Sequence, residues 1–343
     1  MSAKGLESQK GLGVSWKRRK VLVTGADGFI GSHLTEALVA AGAEVRAFCF
    51  YNSNGSFGWL DQLVSDSPKG LETRLGDIRD TQFVSASCEG MEVVFHLAAL
   101  VSIPYSYVAA ESFIDTNVRG TLNVLEAVRR HGCERLIHTS TSEVYGTPDT
   151  LPITERHPLK GQSPYSATKI AADKLCEAYS SSFNVPVVVL RPFNTYGPRQ
   201  SARAIIPTIL SQLLGGERKV RLGSVTPRRD LTFVSDTVRG FLAAGLCPGL
   251  DGKTIQLGTG RSDSIADVFQ AACVACGVEA TFEEDPARVR PERSEVQVLQ
   301  SDPALAKRLL GWEATVSLEQ GLAETARWIG ANLGRFRPNL YGV

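Results

Sequence analysis

Long apolar runs are missing from this 343-residue chain. Nothing in it approaches the roughly 18 continuous apolar residues that a membrane span requires, and the basic leader lacks the apolar stretch of a secretory signal. Neither a membrane partner nor export is therefore expected, and the reading is a cytoplasmic protein. A dominant charge is missing too, since 37 Lys and Arg stand against 36 Asp and Glu. The balance is uneven along the chain. The first twenty residues hold Lys4, Lys10, Lys17, Arg18, Arg19 and Lys20 against Glu7 alone, leaving 31 basic and 35 acidic residues for the remainder. A mildly acidic body behind a short basic segment lacks the basic stripe of a nucleic-acid binder, so no nucleic-acid partner is expected. The seven cysteines are odd in number and scattered through apolar segments, which argues against a disulfide framework. Cys273-Val-Ala-Cys276 has no second pair or histidine at zinc spacing, so it reads as a buried helix face and no metal site is expected. Repeats and low-complexity tracts are absent.

What is present suffices for a large interior. Hydrophobic residues make up 43% and charged residues 21%, as in packed globular proteins. The length exceeds the roughly 100–200 residues of one domain, so two cores or one core with a large lobe is expected. Residues 1–18 read as a flexible tail. Short β-branched runs then alternate with longer helical stretches. Strands are predicted at Val21–Thr24, Glu44–Phe50, Thr73–Gly76, Val93–His96, Arg135–Thr139 and Val187–Arg191. Helices fit Ile30–Ala41, Ser112–His131 and Ser166–Ser182. This alternation predicts an α/β protein with a Rossmann-type doubly wound parallel sheet across residues 19–197. Beyond Gly197 the pattern loosens into a smaller C-terminal α/β lobe, 198–343, folding over the strand ends, with chain crossings between the two and closing helices at Ala304–Leu310 and Leu318–Asn332.

The run Val21-Leu-Val-Thr-Gly25-Ala-Asp27-Gly28-Phe29-Ile30-Gly31 follows a strand and opens a helix with the spacing G-x-x-G-x-x-G. Glycines there allow a tight turn and close approach of a pyrophosphate, and the helix N-terminus offers unpaired N–H groups to that anion. Such a loop after the first strand of an α/β pattern points to a dinucleotide. An acid should close the second strand to hold the adenosine ribose. None is there: Phe48-Cys49-Phe50-Tyr51-Asn52-Ser53 offers only Asn52 and Ser53 as hydrogen-bonding groups, and no arginine stands ready for a 2′-phosphate. The reading leans to NAD and leaves NADP open. Asp77 and Ile78, after the third strand, are placed to flank the adenine, and Leu97, Ala98 and Ala99, after the fourth, to line the crevice with His96.

Tyr165-Ser-Ala-Thr-Lys169 places a phenol and an ammonium four residues apart on one helix face. A lysine charge beside a tyrosine stabilises the phenolate and is expected to lower the phenol from its reference of about 10. That pair suits removal of a hydroxyl proton while a nicotinamide accepts hydride. Between loop and helix lies Thr139-Ser140-Thr141-Ser142-Glu143 at the carboxyl end of a strand, where side chains face the ligand crevice. Thr141 can bond the hydroxyl being oxidised. Glu143 adds a carboxyl that plain oxidation or epimerisation does not need, whereas elimination next to a ketone does.

Gly25, Gly28, Gly31, Thr141, Tyr165 and Lys169 together resemble the extended short-chain dehydrogenase/reductase family, the NAD-dependent nucleotide-sugar epimerases and dehydratases, over about Lys20 to Trp328. Thr141-Ser142-Glu143 resembles the triplet of the 4,6-dehydratases: the dTDP-glucose type carries Thr-Asp-Glu, the GDP-mannose type Thr-Ser-Glu. UDP-glucuronate decarboxylases also carry Thr-Ser-Glu. Tyr51-Asn-Ser with Gly58-Trp-Leu-Asp61, Ile103-Pro-Tyr-Ser-Tyr107 and the run Arg191–Arg203 resemble the UDP-N-acetylglucosamine 4,6-dehydratases of legionaminic-acid-type pathways. The resemblance implies Thr141, Ser142, Glu143, Tyr165 and Lys169 as the catalytic set, Asn194, Arg229 and Arg290 on the substrate diphosphate, and Arg203 as a further substrate-binding residue. It also implies a homodimer through a four-helix contact formed by the Ser112–Arg130 and Ile170–Ser180 segments. The expected activity is an NAD-dependent nucleotide-sugar 4,6-dehydratase acting on a UDP-linked sugar, with decarboxylation, 4-epimerisation or a non-catalytic NAD(P)-binding regulator as alternatives.

Overall fold

A computed structural model describes residues 15–337. Fourteen of the eighteen residues read as a tail lie outside the described residues. Of the last four, Trp16 is only 4% exposed and its ring lies 5.8 Å from that of Phe95, so the indole anchors the chain on the core.

Six strands form where the β-branched runs predict them: β1 (Lys20–Thr24), β2 (Glu44–Phe50), β3 (Leu71–Gly76), β4 (Val93–His96), β5 (Arg135–Thr139) and β6 (Val187–Pro192). Short lobe strands follow: β7 (Asn194–Tyr196), β8 (Lys219–Leu222), β9 (Arg228–Arg229) and β10 (Leu231–Phe233). The chain then returns to the main sheet as β11 (Thr254–Leu257), a seventh strand that four residues in an irregular stretch gave no cue for. The sheet runs β11-β6-β5-β4-β1-β2-β3, with every pairing parallel. Its order reverses beside β1, the switch point where open α/β sheets bind ligands beyond the strand ends. β12 (Asp263–Ser264), β13 (Thr281–Glu284) and β14 (Val298–Leu299) complete the lobe, β12 and β14 flanking β9 and β13 pairing with β8.

Burial follows the two-residue period of a strand covered on both faces. Val21 and Val23 enter a core shared with Leu34, Leu38 and the lobe residues Ile206, Phe241 and Leu322, while Leu22 enters a second core with Val94, Leu125 and Leu136. The Phe29–Ala40 helix can lie tight on β1 because a Cβ at Gly31 would stand 2.0 Å from the carbonyl oxygen of Gly25.

The segment predicted as one regular helix, Ser112–His131, is interrupted. Ala110–Phe113 and Gly120–His131 are α-helical, and Ile114–Arg119 between them is a π-helix. Such bulges are rare and need local support. Asn117, within it, accepts from the amide of Leu100 (2.8 Å) and donates to the Leu100 carbonyl (3.0 Å) and to Thr168 Oγ1 (3.1 Å). The extra residue in the turn thus aims a side chain that clamps the loop after β4 to the Tyr165 helix. That helix runs Pro164–Phe183, started by Ser163 in a capping box with Pro164 in its first turn and ended by Asn184 at φ 55°.

Candidate active site

The loop after β1 is fastened to β2: the amides of Gly25 and Ala26 both donate to the Phe48 carbonyl, at 2.9 and 3.2 Å. Gly25 adopts φ +69°, and a Cβ on it would lie 2.7 Å from the Ala98 amide nitrogen. Thr24 Oγ1 accepts from the amides of Leu97 and Ala98 at 3.2 Å each, joining both sides of the crevice. Gly28 is the N-cap of the Phe29–Ala40 helix and supplies no side chain to cap its first N–H groups. An anion bound there gains free donors and the positive end of the helix, so this loop fits a dinucleotide pyrophosphate.

Other predicted cofactor residues are engaged elsewhere. Asn52 donates to the Phe50 and Ser56 carbonyls and accepts from the Asn54 and Ser56 amides, so its carboxamide closes its own loop, beside exposed Ser53. Asp77 is gripped by Arg79 through Nε (2.9 and 3.0 Å) and Nη2 (2.5 Å), which holds its carboxyl below the usual range. Ile78 is buried in the second core. His96 does not line the crevice: it is 2% exposed, with Nδ1 2.8 Å from Thr24 Oγ1 and Nε2 3.1 Å from Thr121 Oγ1. A histidine between two hydroxyls is satisfied inside the sheet, and burial keeps it neutral.

β5, the turn after it and the Pro164–Phe183 helix bring together the residues expected to be catalytic. Thr141 is extended (φ −158°, ψ 155°) and caps a 3-10 turn, its Oγ1 accepting from the Glu143 amide at 3.2 Å. This turn leaves Glu143 half-exposed, with Ser142 buried between. Tyr165 is 6% exposed and its ring meets Phe113 edge-on at 6.2 Å. In the structure burial works against the expected depression of this phenol. Burial drives Tyr165 well above the ordinary value, the Thr141 hydrogen bond opposes that, and the nearby Glu143 charge adds to it. Lys169, 4% exposed, donates its Nζ to the Thr139 carbonyl at 2.7 Å, and burial lowers its pKa against the pull of Asp173. Lys169 turns its Nζ to the end of β5, and the groups acting on the phenol are Thr141, Glu143 and Asp173.

Asp173 and its partners escaped the sequence reading. Arg191 donates Nε (3.1 Å) and Nη2 (2.9 Å) to Asp173 Oδ2, which also accepts from Ser140 Oγ (2.8 Å). His138 Nε2 lies 3.4 Å from Asp173 Oδ1. Arg191 Nη1 reaches the Tyr145 hydroxyl (3.1 Å), which donates to Gln256 on β11. The cue was present, since Asp173 follows Lys169 by four residues on one helix.

In the lobe, Arg229 and Arg290 converge on one carboxylate. Glu295 Oε1 is 2.7 Å from Arg229 Nη2 and 3.5 Å from Arg290 Nη1, and Arg229 Nη1 is anchored on the Val296 carbonyl (2.7 Å). Tyr107 bonds Ser294 at 2.5 Å, tying the Ile103–Tyr107 segment to this loop. Asn194 keeps a buried Oδ1 without a hydrogen-bond partner among the described residues, while Arg203 stands exposed on its loop. Glu295, in an aperiodic stretch, carried no sequence signal.

A parallel sheet whose first loop is shaped for a dinucleotide, and whose fifth strand meets a Tyr–Lys helix, defines an extended short-chain dehydrogenase/reductase. Residues 22–325 match the family described as GDP-mannose 4,6 dehydratase, and the chain belongs to that family within the NAD-dependent epimerases and dehydratases. A dTDP-glucose 4,6-dehydratase of Actinoplanes sp. is 34% identical over 319 residues, covering 91% of this chain and 98% of the relative. A UDP-glucose 4-epimerase of Mycolicibacterium smegmatis is 33% identical over 315 residues, covering 90% and 98%. The structure of a UDP-glucuronic acid 4-epimerase from Bacillus cereus, in complex with UDP-glucuronic acid and NAD, superposes with a TM-score of 0.83 at 29% identity, covering 91% of this chain and 99% of that one.

Proposed function

We propose that this protein is an NAD-dependent nucleotide-sugar 4,6-dehydratase. The observation that carries the reading is Glu143: the turn capped by Thr141 holds a half-exposed carboxyl close enough to Tyr165 for its charge to act on the phenol. The helix start after Gly28, which has no side-chain cap, and the NAD held by a structural neighbour support the cofactor. When bound, the nicotinamide supplies a hydride acceptor and donor. The chain's own residues manage protons and geometry. Tyr165, bonded by Thr141 and assisted by the Lys169 ammonium one helical turn on, takes the proton of the sugar 4-hydroxyl as its phenolate. That form is favoured by the positive charge of a bound oxidised nicotinamide against the burial that raises the phenol, and Asn117 holds the surrounding backbone in place. A ketone at carbon 4 acidifies the hydrogen on carbon 5. Glu143 removes that proton and returns one to the departing 6-hydroxyl, so that water leaves. Return of the hydride to carbon 6 and of a proton to carbon 5 across the resulting double bond gives a 4-keto-6-deoxy sugar nucleotide. Arg229 and Arg290 offer guanidinium forks, and Asn194 its carboxamide N–H, to the diphosphate, while the unpartnered Asn194 Oδ1 can accept only from a donor of the ligand.

The finer reading is UDP-N-acetylglucosamine as substrate, supported by the sequence resemblance of the Tyr51–Asp61, Ile103–Tyr107 and Arg191–Arg203 segments; Trp59 bonds the glycine loop at Asp27, and Tyr107 bonds Ser294 next to Glu295. Pairing of two copies through the Gly120–His131 and Pro164–Phe183 helices, in the cytoplasm, belongs to the same proposal. The test is Glu143→Gln with a panel of UDP-, GDP- and dTDP-sugars, read by product mass. Wild type is expected to release water, and the variant to lose this by a factor of about 100 or more while still binding cofactor. Loss of carbon dioxide, an unchanged mass, or a fully active variant would refute the dehydratase.

A further inference from the structure

Rossmann sheets hold the adenosine ribose with an acid at the end of β2. Here that strand end has nothing suitable. Cys49 is fully buried in the core, and Phe50 turns an apolar ring to solvent, 58% exposed. Asn52 spends both ends of its carboxamide on its own loop. Asp61 is likewise engaged, accepting from Ser56 Oγ (2.8 Å) and the Phe57 amide (2.6 Å).

A carboxylate nevertheless arrives at this spot from another element. Asp27, inside the glycine loop, places Oδ2 3.3 Å from the amide of Phe50, the last residue of β2. Its backbone carbonyl accepts from the Trp59 amide at 3.3 Å, so the loop after β2 closes over it. We infer that Asp27 takes over the role of the missing β2 acid, accepting hydrogen bonds from the adenosine ribose hydroxyls and disfavouring a 2′-phosphate, and thereby sets a preference for NAD over NADP. This rests on the reading of the glycine loop as a dinucleotide site.

The chemistry agrees with the geometry. An ionised carboxylate only accepts hydrogen bonds, with about four lone-pair sites, and the Phe50 amide occupies one. Ribose hydroxyls can donate to the others, whereas a phosphate dianion brings like charge against like. Cations that could reverse this are absent from the loop itself: residues 47–68 contain no Lys or Arg and two acids, Asp61 and Asp66. Two nearby arginines are committed, Arg79 to Asp77 and Arg335 to the face of the Trp59 ring at 5.0 Å. Burial raises the Asp27 carboxyl, with bonds from backbone amides opposing it.

The test is a competition on the full-length protein. Wild type, Asp27→Asn and Asp27→Ser are incubated with equimolar NAD and NADP, desalted, and the released nucleotides separated and quantified. Both replacements can still accept from the Phe50 amide, so folding is kept, and thermal melts confirm it. Wild type is expected to retain NAD in large excess, and both variants to shift the bound NAD-to-NADP ratio toward NADP by about 10- to 100-fold, the range for losing a charged hydrogen-bond acceptor. An unchanged ratio in folded variants, or a wild type that retains NADP as readily as NAD, overturns the inference. A wild type that retains neither nucleotide sinks the nicotinamide reading as well. The Glu143→Gln assay reads sugar chemistry, so its failure is separable from this one.

Discussion

Two arginine–carboxylate clusters in this protein use the same chemistry in opposite surroundings. Beneath the catalytic helix, Arg191 and Asp173 are 3% and 0% exposed, and Ser140, Tyr145 and His138 crowd the remaining positions. In the lobe, Arg229 and Arg290 share Glu295, and Arg290 keeps 30% of its side chain in solvent. Charges without access to water have no alternative partner, so the first cluster is fixed scaffolding. Charges at an open cleft can exchange a protein carboxylate for a ligand's oxygens. The proposal that these arginines hold a diphosphate predicts that the second cluster exchanges Glu295 for the ligand, with Arg290 as its solvent-facing member.

The largest expected effect falls on the buried cluster. Asp173→Asn strands the Arg191 guanidinium without its counter-charge and should cost about 3–5 kcal/mol. Urea unfolding checks this, and a loss under about 1 kcal/mol would erase the distinction between the clusters. The same variant gives a pH signature. Burial pushes the Asp173 carboxyl up, but the His138 bond and the Arg191 and Lys169 charges outweigh it and hold the group below its ordinary value. A carboxyl depressed in the folded state contributes its stability above the unfolded-state pKa of about 3.9 and loses it as pH falls through the lower folded value. The gap between wild type and variant should be full at neutral pH and close only in strong acid. A gap that closes already near pH 6 contradicts it.

A smaller effect is expected in the lobe. Arg290→Lys keeps the charge but loses the planar fork, and should weaken UDP binding about tenfold in titration calorimetry with little change in stability. The smallest is Glu295→Gln. Removing the competing carboxylate should strengthen UDP binding by up to about fivefold, the range for a partly exposed ion pair. Weaker binding in that variant would show that Glu295 only positions the arginines and does not stand in for the ligand.

Most of the sheet was legible because strands buried on both faces require β-branched runs, and Val21–Thr24 or Val187–Arg191 carry them undiluted. The glycine loop and the Tyr165–Lys169 pair were legible because their spacing is itself the geometry, a turn and one helical step. Thr254–Leu257 was not, because Thr254 and Gln256 interrupt its apolar run where Val93–Phe95 keep theirs unbroken, and it joins the sheet by pairing with β6. The π-helix at Ile114–Arg119 was hidden too, as Asn117 earns its irregular turn only by clamping Leu100 and Thr168.

The amino-acid order alone thus determined the class of fold, through the alternation of strand and helix patterns, and the dinucleotide loop and the phenol–ammonium pair, through residues a few positions apart. Tertiary structure decided the rest: that Asp173 meets Arg191, that Glu295 lies between two arginines, that Asp27 stands at the end of β2, and that Tyr165 is buried deeply enough to raise its pKa. Those outcomes depend on desolvation and on which distant side chains share a space, and both are fixed only when the chain closes on itself.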